Sequence, residues 1–274
     1  MIILGIECSS RQGSVALLKD GELIGEKSWI AERVRHNTIF QTLENLIEEA
    51  DISYNDISLY AVGRGPGSFS GMRMSFAIAQ ALALPSKTEV RAVSSGAALA
   101  LQMERTFLSA QVDEGQTGMS AQALDGRAGV SAPQQIAVVG DARRGQVWIG
   151  LFNSTANERE YTQMDSPPAE GCPTGRGGSS VAAPLGRGPR SGTSATVGQI
   201  GGWKLVPYEE VEVPNGTIVV SPEAERLTEI FPTIGNPRFP HAKEVAELAE
   251  LQTDPEPMEP LYMHPPVFIE PKYA

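Results

Sequence analysis

Gly63-Arg64-Gly65-Pro66-Gly67-Ser68-Phe69-Ser70-Gly71-Met72-Arg73 is an eleven-residue stretch, the signature loop, that joins an apolar strand to a helix. The strand is predicted over 59–62 and the helix over 72–84. The glycines allow tight turns that a β-carbon would obstruct, and Pro66 stiffens the approach to the helix. Ser70 is predicted to cap the helix N-terminus. This order of strand, loop and helix indicates an α/β fold.

A glycine loop at a helix N-terminus also suggests a phosphate site. The loop lacks the Gly-Lys-Ser/Thr ending of nucleotide hydrolases, and its glycine spacing is not that of a dinucleotide-binding loop. The alternative interpretation is a tight turn without a ligand. The glycines alone leave both interpretations open, whereas the complete eleven-residue sequence is far more specific.

Length and charge restrict the classes of function. The chain has 274 residues, enough for one large domain or two small ones. Its formal net charge is −11. The acidity argues against direct binding of nucleic acid, whose phosphates attract basic surfaces. No apolar run reaches the roughly 18 residues of a membrane span, and no signal peptide is visible, so we expect a cytoplasmic protein without a membrane partner. Cys8 and Cys172 lie far apart in the sequence, which fits a reducing compartment.

The N-terminal part of the chain shows a hairpin followed by alternating helices and strands. Asp20-Gly21 between two apolar runs is a strong hairpin signal. The predicted elements are, in order, strands 2–6, 14–18 and 23–29, a helix at 39–50, strand 59–62, helix 72–84, strand 89–93 and a helix at about 95–104. Three strands followed by strand–helix units predict a mixed sheet with helices on its faces.

The second half opens in a similar way. Its predicted elements are strands 135–139 and 146–152, a turn at 141–145, strand 217–220, helix 222–231 and helix 242–251. Between the strands 146–152 and 217–220, residues 166–202 contain ten glycines and five prolines, a composition that predicts a mobile insertion. We therefore expect two α/β lobes, an N-terminal lobe over 1–105 and a C-terminal lobe over 106–274.

The signature loop resembles GRGPGSFTGLR, the signature of the bacterial TsaB (YeaZ) family, with Ser70 for threonine and Met72 for leucine. Four further segments resemble the family in the same order along the chain. They are Ile2–Ser10, Val93-Ser94-Ser95, Asp141–Val147 and Pro260-Leu261-Tyr262. Glu7 stands where the family usually has aspartate, and the glycine-rich insertion is a second departure. The resemblance is dense over residues 1–100 and patchy afterwards.

This resemblance implies a duplicated actin-like (ASKHA, ribonuclease H-like) fold of two lobes with mixed sheets. It also implies a non-catalytic scaffold and activator subunit of the bacterial machinery that makes N6-threonylcarbamoyladenosine in tRNA. The implied partners are a TsaD-like catalytic subunit and a TsaE-like ATPase, with tRNA contacted only through the complex. The isolated chain is expected to carry no cofactor, and ATP or ADP belongs to the assembled complex. The alternative function is an actin-fold ATPase, kinase or peptidase-like enzyme that acts alone.

Candidate catalytic groups are few. The sister family TsaD binds a metal through two histidines at the start of a helix, and the resemblance places Ser95 and Leu99 at those positions. Serine is a poor ligand for a transition metal and leucine is none, so we expect no metal site and no catalytic residue. Glu7 and Asp141, which open the two halves, are weak candidates for contacts to a nucleotide, and both fit turn-capping carboxylates equally well.

The helix after the signature loop carries small residues at every fourth position, Gly71, Ser75 and Ala79. Such a strip lets another helix approach closely, although a helix buried in the chain's own core shows the same pattern. TsaB proteins pair with TsaD through the first two helices, so the resemblance favours a partner face. Its predicted residues are His36, Phe40, Gly71, Met72, Ser75, Phe76 and Ala79. Without TsaD the same face allows a homodimer.

Overall fold

The computed structural model describes residues 1–31, 38–117, 135–153 and 198–264, with side chains up to residue 107 in the helix that ends at 117. Within these ranges nine strands form two mixed sheets. Most of the predicted insertion lies outside the described residues, as do His36 and Cys172. None of the described helices is long and apolar enough to cross a membrane.

The first sheet has the strand order β3-β2-β1-β4-β5. Its strands are β1 Ile2–Glu7, β2 Gln12–Lys19, β3 Glu22–Ile30, β4 Leu59–Gly63 and β5 Glu89–Val93. β1 pairs antiparallel with β2 and parallel with β4, and β4 pairs parallel with β5. This is the predicted mixed sheet, and it puts the carboxyl ends of β1, β4 and β5 at one edge, where the signature loop begins.

Helices cover both faces of this sheet. Helices α1 (Thr38–Glu49) and α2 (Phe69–Ala83) share one core with Leu4 and Ile6 of β1. The start of α3 (Ser95–Thr117) and the C-terminal helix, Ala242–Leu251, share the opposite core with Ile3. Successive residues of a strand point to opposite faces, so the continuous apolar run of β1 supplies both cores.

The second sheet has the order β8-β7-β6-β9 and repeats the plan of the first, a hairpin followed by a parallel strand. Its strands are β6 Gln135–Arg143, β7 Gln146–Asn153, β8 Gly198–Pro207 and β9 Ile218–Val220. Helix α3 covers one face, and the short α4 (Ala224–Leu227) covers the other. The C-terminal helix Ala242–Leu251 is therefore α5. The predicted lobe boundary at residue 105 falls inside α3, and α5 packs on the first sheet although it follows the second.

Two predicted elements are wrong. Residues 198–202 belong to β8 rather than to a loop, because this strand pairs with β7. Its Trp203 packs in the core between the second sheet and α3, which is called the second core here. The helix predicted over 222–231 is helical only at 224–227. Pro232 follows Phe231, and the residue before a proline is disfavoured in the helical conformation, so the segment continues as turns.

Helix α5 lies unusually close to β1. A β-carbon built on Gly5 would stand 2.2 Å from the backbone oxygen of Ala242 and 3.1 Å from the β-carbon of Ala246. The N–H of Ala242 donates to Ser14 Oγ over 2.9 Å, which fixes the first turn of α5 on β2. The sequence requirement at this crossing is therefore a missing side chain on the strand and small side chains on the helix.

We expect Gly5→Ala to lower the free energy of unfolding by about 1–3 kcal/mol, because the added methyl group overpacks the crossing of β1 and α5. Urea unfolding monitored by circular dichroism measures the change. Gly235→Ala is the matched control, since a β-carbon there meets no atom within 4 Å. Equal stability of the two variants would contradict the close contact.

Candidate functional site

The signature loop starts where β4 meets the end of β1. A β-carbon built on Gly63 would stand 1.7 Å from Glu7 Oε2, so the glycine leaves the space that this carboxylate occupies. Gly65 has φ +96°, a backbone conformation that side-chain-bearing residues rarely adopt. At these two positions glycine is required by space and by backbone conformation.

Glu7 is fully buried and holds three segments together. Its carboxylate accepts the N–H of Ser9 at 2.5 Å and the hydroxyl of Ser95 at 2.6 Å. Ser95 Oγ in turn accepts the N–H of Gly65 at 3.0 Å. Burial raises the pKa of Glu7, although its hydrogen bonds act in the opposite direction. The structure thus gives Glu7 hydrogen-bond partners within the fold, and its contact with a nucleotide stays a prediction.

The cap of α2 differs from the predicted one. The helix begins at Phe69, and its N-cap is Ser68, whose hydroxyl accepts the N–H of Gly71 at 3.3 Å. Ser70 lies in the first turn, with its hydroxyl 3.5 Å from that of Ser68. The predicted cap lies two residues too late, because Ser68 and Ser70 both offer a hydroxyl at the start of the helix.

The positions aligned with the metal ligands of TsaD have other contacts here. The hydroxyl of Ser95 donates to Glu7, and Leu99 is 1% exposed in the second core. Among the described residues, no group of three His, Cys, Asp or Glu side chains is placed to hold a metal ion. The two described histidines lie elsewhere: His241 faces Glu26, and His264 Nε2 donates to the carbonyl oxygen of Ala142.

A cleft of about 740 Å³ separates the turns that open the two sheets. Aromatic and charged side chains from both halves line it, notably Arg11, Phe69, Asp141, Arg143, Trp148, Glu223, Arg226 and Tyr262. This volume falls within the range that small-molecule sites occupy. Glu7 is absent from the lining, so the structure does not bring the two candidate carboxylates together in the cleft.

Asp141 is surrounded by donors. Its carboxylate accepts from the backbone N–H of Arg143 at 2.8 Å and from the Tyr208 hydroxyl at 3.0 Å. The guanidinium groups of Arg143 and Arg226 lie 2.6 Å and 3.3 Å from the same side chain. The neighbouring Glu223 has a raised pKa, because it is largely buried and lies near the charge of Asp141. Two cations therefore neutralise Asp141, and its oxygens are already paired.

The small strip of α2 faces the chain's own sheet. Ser75 and Ala79 are fully buried, and a β-carbon on Gly71 would stand 1.9 Å from the carbonyl oxygen of Cys8. Met72 and Phe76 are also buried. The strip thus lets α2 approach β1, the alternative that the pattern left open. Of the predicted partner residues, Phe40 on α1 is 54% exposed, and His36 lies outside the described residues.

Sequence reasoning missed the outward face of α2. Its residues are exposed or half-buried and uncharged after Arg73: Met74, Ala77, Gln80, Ala81 and Leu84. Met74 is 37% exposed and Leu84 is 77% exposed. These residues recur at helical spacing, so the sequence does show that they share one face of the helix. The small strip recurs at the same spacing on the opposite face, and only the position of the sheet decides which face is exposed.

The buried carboxylate of Glu7 predicts a pH dependence of stability. A glutamate in the unfolded chain has a pKa of about 4.5, and that of native Glu7 is higher. Between these two values the native state keeps a proton that the unfolded chain has lost, so the free energy of unfolding falls as the pH rises. Glu7→Gln has no such proton, and we expect its free energy of unfolding to fall less over this window.

Urea unfolding of both proteins at a series of pH values measures the difference. Glu229→Gln, which removes an exposed carboxylate, is the control and is expected to parallel the unmodified chain. If the Glu7→Gln curve also runs parallel to that of the unmodified chain, the buried carboxylate does not titrate as described.

Parts of this chain are similar in sequence to proteins of tRNA modification. A family model described as TsaD, tRNA N6-adenosine threonylcarbamoyltransferase, matches residues 29–113. The tRNA threonylcarbamoyladenosine biosynthesis protein TsaB of Bacillus subtilis (strain 168) is 28% identical over 152 residues, 56% of this chain and 55% of the relative. TsaB of Escherichia coli (strain K12) is 35% identical over 95 residues, 35% of this chain and 41% of the relative. The chain spans about half the length of the curated relatives it matches.

Solved structures match over nearly the whole chain. YeaZ from Pseudomonas aeruginosa superposes with a TM-score of 0.58 at 20% identity and covers 92% of both chains. A second structure from Pseudomonas aeruginosa, of a protein with similarity to the peptidase YeaZ, gives 0.61 at 20% identity and covers 96% and 99%. At this identity the matches speak for the fold alone, and they agree with the predicted α/β architecture of two mixed sheets.

The signature loop lies within residues 29–113, the range that the TsaD family model matches. The same loop connects β4 to α2 within a fold shared with YeaZ. The chain is similar in sequence to TsaB proteins over part of its length, and it shares the fold of YeaZ.

Proposed function

We propose that this chain is a non-catalytic scaffold and activator subunit in the synthesis of N6-threonylcarbamoyladenosine in tRNA. Its partners would be a TsaD-like catalytic subunit and a TsaE-like ATPase, and its place would be the cytoplasm. The names of the curated relatives support the pathway. With a net charge of −11 the chain is poorly suited to hold tRNA by itself, so we assign tRNA binding to the complex.

The outward face of α2 is the observation that carries the partner role. Along this face Met74, Ala77, Ala81 and Leu84 present apolar or small side chains to solvent. Arg73 is the only charged residue of α2, whereas the chain as a whole is strongly acidic. Exposed apolar patches of this kind mark interaction sites, and small side chains let a partner helix approach closely. We therefore assign the proposed partner face to the outside of α2, with the buried strip behind it.

The competing proposal is an enzyme that acts alone, and the cleft offers it little support. Metal and phosphate chemistry needs carboxylates with free oxygens, yet Asp141 is paired with Arg143 and Arg226. Glu7 is enclosed behind the signature loop. A ligand that recruited Asp141 would have to displace two arginines from a carboxylate whose side chain is only 8% exposed.

The partner face can be tested with Ala77→Arg, because Ala77 is exposed and the substitution leaves the core intact. A bulky charge in a closely packed helix interface should weaken pairing with a TsaD-type subunit by about 2 kcal/mol or more, roughly thirtyfold. Isothermal titration calorimetry and co-elution measure the loss. Ala81→Arg is expected to behave in the same way.

Thr228→Arg is the matched control, since it adds the same side chain to an exposed position near α4 and should leave pairing unchanged. Ala79→Arg is expected to unfold the chain instead, because Ala79 is fully buried. Folded Ala77→Arg and Ala81→Arg variants that pair with unchanged affinity would exclude this face.

The purified chain is expected to carry far less than one zinc or iron ion per molecule and to show no transferase turnover by itself. The physical reason is that Ser95 is committed to Glu7 and Leu99 is buried in the second core. Elemental analysis and a turnover assay without partners measure both. A stoichiometric metal ion together with turnover would favour the enzyme alternative.

A further inference from the structure

The segment that follows α5, residues 252–264, runs back along the first sheet and is called the strap here. It is attached to backbone groups around the signature loop. Glu256 Oε1 accepts the N–H of Ser94 at 3.0 Å, just after β5. The N–H of Leu261 donates to the carbonyl oxygen of Arg64 over 2.7 Å. The strap is thus bound by directed hydrogen bonds rather than by burial alone.

Arg64, the second residue of the signature loop, is the main anchor of the strap. Its side chain is 9% exposed and does not line the cleft. The guanidinium donates through Nη1 to Glu256 Oε2 at 3.2 Å and through Nε to the carbonyl oxygen of Glu259 at 3.1 Å. A planar guanidinium can hold two acceptors in fixed directions, which an ammonium group cannot do. One side chain therefore fixes the strap at two points.

The far end of the strap reaches both α2 and the second sheet. The ring of Tyr262 lies 4.9 Å from that of Phe69, the first residue of α2. Met263 packs against the second core. His264 Nε2 donates to the carbonyl oxygen of Ala142 over 2.8 Å, beside Asp141 in the wall of the cleft. The strap therefore crosses from the first half of the molecule to the second at the cleft.

Chain length makes this crossing restrictive. Leu261 and His264 are three residue steps apart, and an extended chain of that length spans at most about 10 Å. If the two sheets move apart at the cleft, either the contacts of Arg64 or those of His264 have to break. The stacking of Tyr262 on Phe69 places the first turn of α2 under the same restraint.

We propose that the strap couples the width of the cleft to the first turn of α2, with Arg64 as the positioning residue of this link. One consequence rests on the proposed function: pairing of a partner with the outward face of α2 should depend on the strap. The coupling itself is a property of the chain alone. It gives the arginine of the signature loop a role that lies away from any ligand in the cleft.

The test is amide hydrogen exchange of the full chain with Arg64→Gln. Exchange at Leu261 and Ser94 is expected to become about tenfold faster, because their acceptors are no longer held in place. The decisive amide is that of Arg143, across the cleft, which should also exchange faster. The fluorescence of Trp148, in the cleft wall, should shift to longer wavelength as the cleft opens.

Arg91→Gln is the matched control. Arg91 pairs with a carboxylate, Glu89, at 2.7 Å and donates to the carbonyl oxygen of Ala249 at 2.9 Å, so its hydrogen bonds in the described part of the chain lie outside the strap. It should leave the exchange of Leu261 and Arg143 unchanged. Should Arg64→Gln destabilise the whole fold, Glu256→Gln is the second variant, since it retains an oxygen for the N–H of Ser94.

Faster exchange confined to Leu261 and Ser94, with Arg143 matching the control, would overturn the coupling. The same holds if Arg91→Gln speeds exchange at Arg143 as much as Arg64→Gln does. These readouts need no partner, so they decide the inference even if a TsaD-type subunit fails to bind. If that subunit binds the unmodified chain, Arg64→Gln should weaken pairing although the outward face of α2 is unaltered.

Discussion

The buried carboxylate of Glu7 is the constraint on which the centre of the molecule depends. An isolated charge in a protein interior costs several kcal/mol, and hydrogen bonds from Ser9 and Ser95 offset only part of that cost, since the pKa of Glu7 remains raised. Satisfying the carboxylate requires the end of β1, the start of α3 and the signature loop to meet at one point. Gly63 leaves the space, since any side chain there would occupy the position of the carboxylate. One acidic residue thus accounts for Gly63 in the loop and for Ser95 at the start of α3.

The two faces of α2 follow from the same arrangement. The signature loop delivers the helix against β1, where the strip of Gly71, Ser75 and Ala79 allows close contact with the backbone of Cys8. Close packing on one side leaves the other side of a mostly uncharged helix in solvent. An exposed apolar strip of this kind is a surface that a partner helix could cover favourably. The buried strip and the proposed partner face are therefore two consequences of one short loop.

Much of the first sheet could be predicted from sequence, because its strands are apolar runs bounded by clear turn signals. The strand at 89–93 agrees residue by residue, and the order of elements is as expected. Prediction failed where composition and pairing disagree. Residues 198–202 have the composition of a glycine-rich loop. They form a strand because the backbone of β7 pairs with them, and this pairing cannot be seen in their own sequence. The small residues of α2 failed for another reason, since helical periodicity gives two faces but not which of them the sheet covers.

The site was harder to predict because its interactions join distant parts of the chain. Arg64 lies 192 residues before Glu256, and no local pattern links an arginine in a glycine loop to a carboxylate in a C-terminal segment. Nor does sequence indicate that Asp141 is shared between Arg143 and Arg226, which makes a candidate for nucleotide contacts part of an ion-pair cluster. In both places a residue type associated with phosphate or metal chemistry is used to join segments of the fold. Asp141 and Arg64 thus serve contacts within the fold, which is compatible with the proposed role in which the chain acts through the surface of α2.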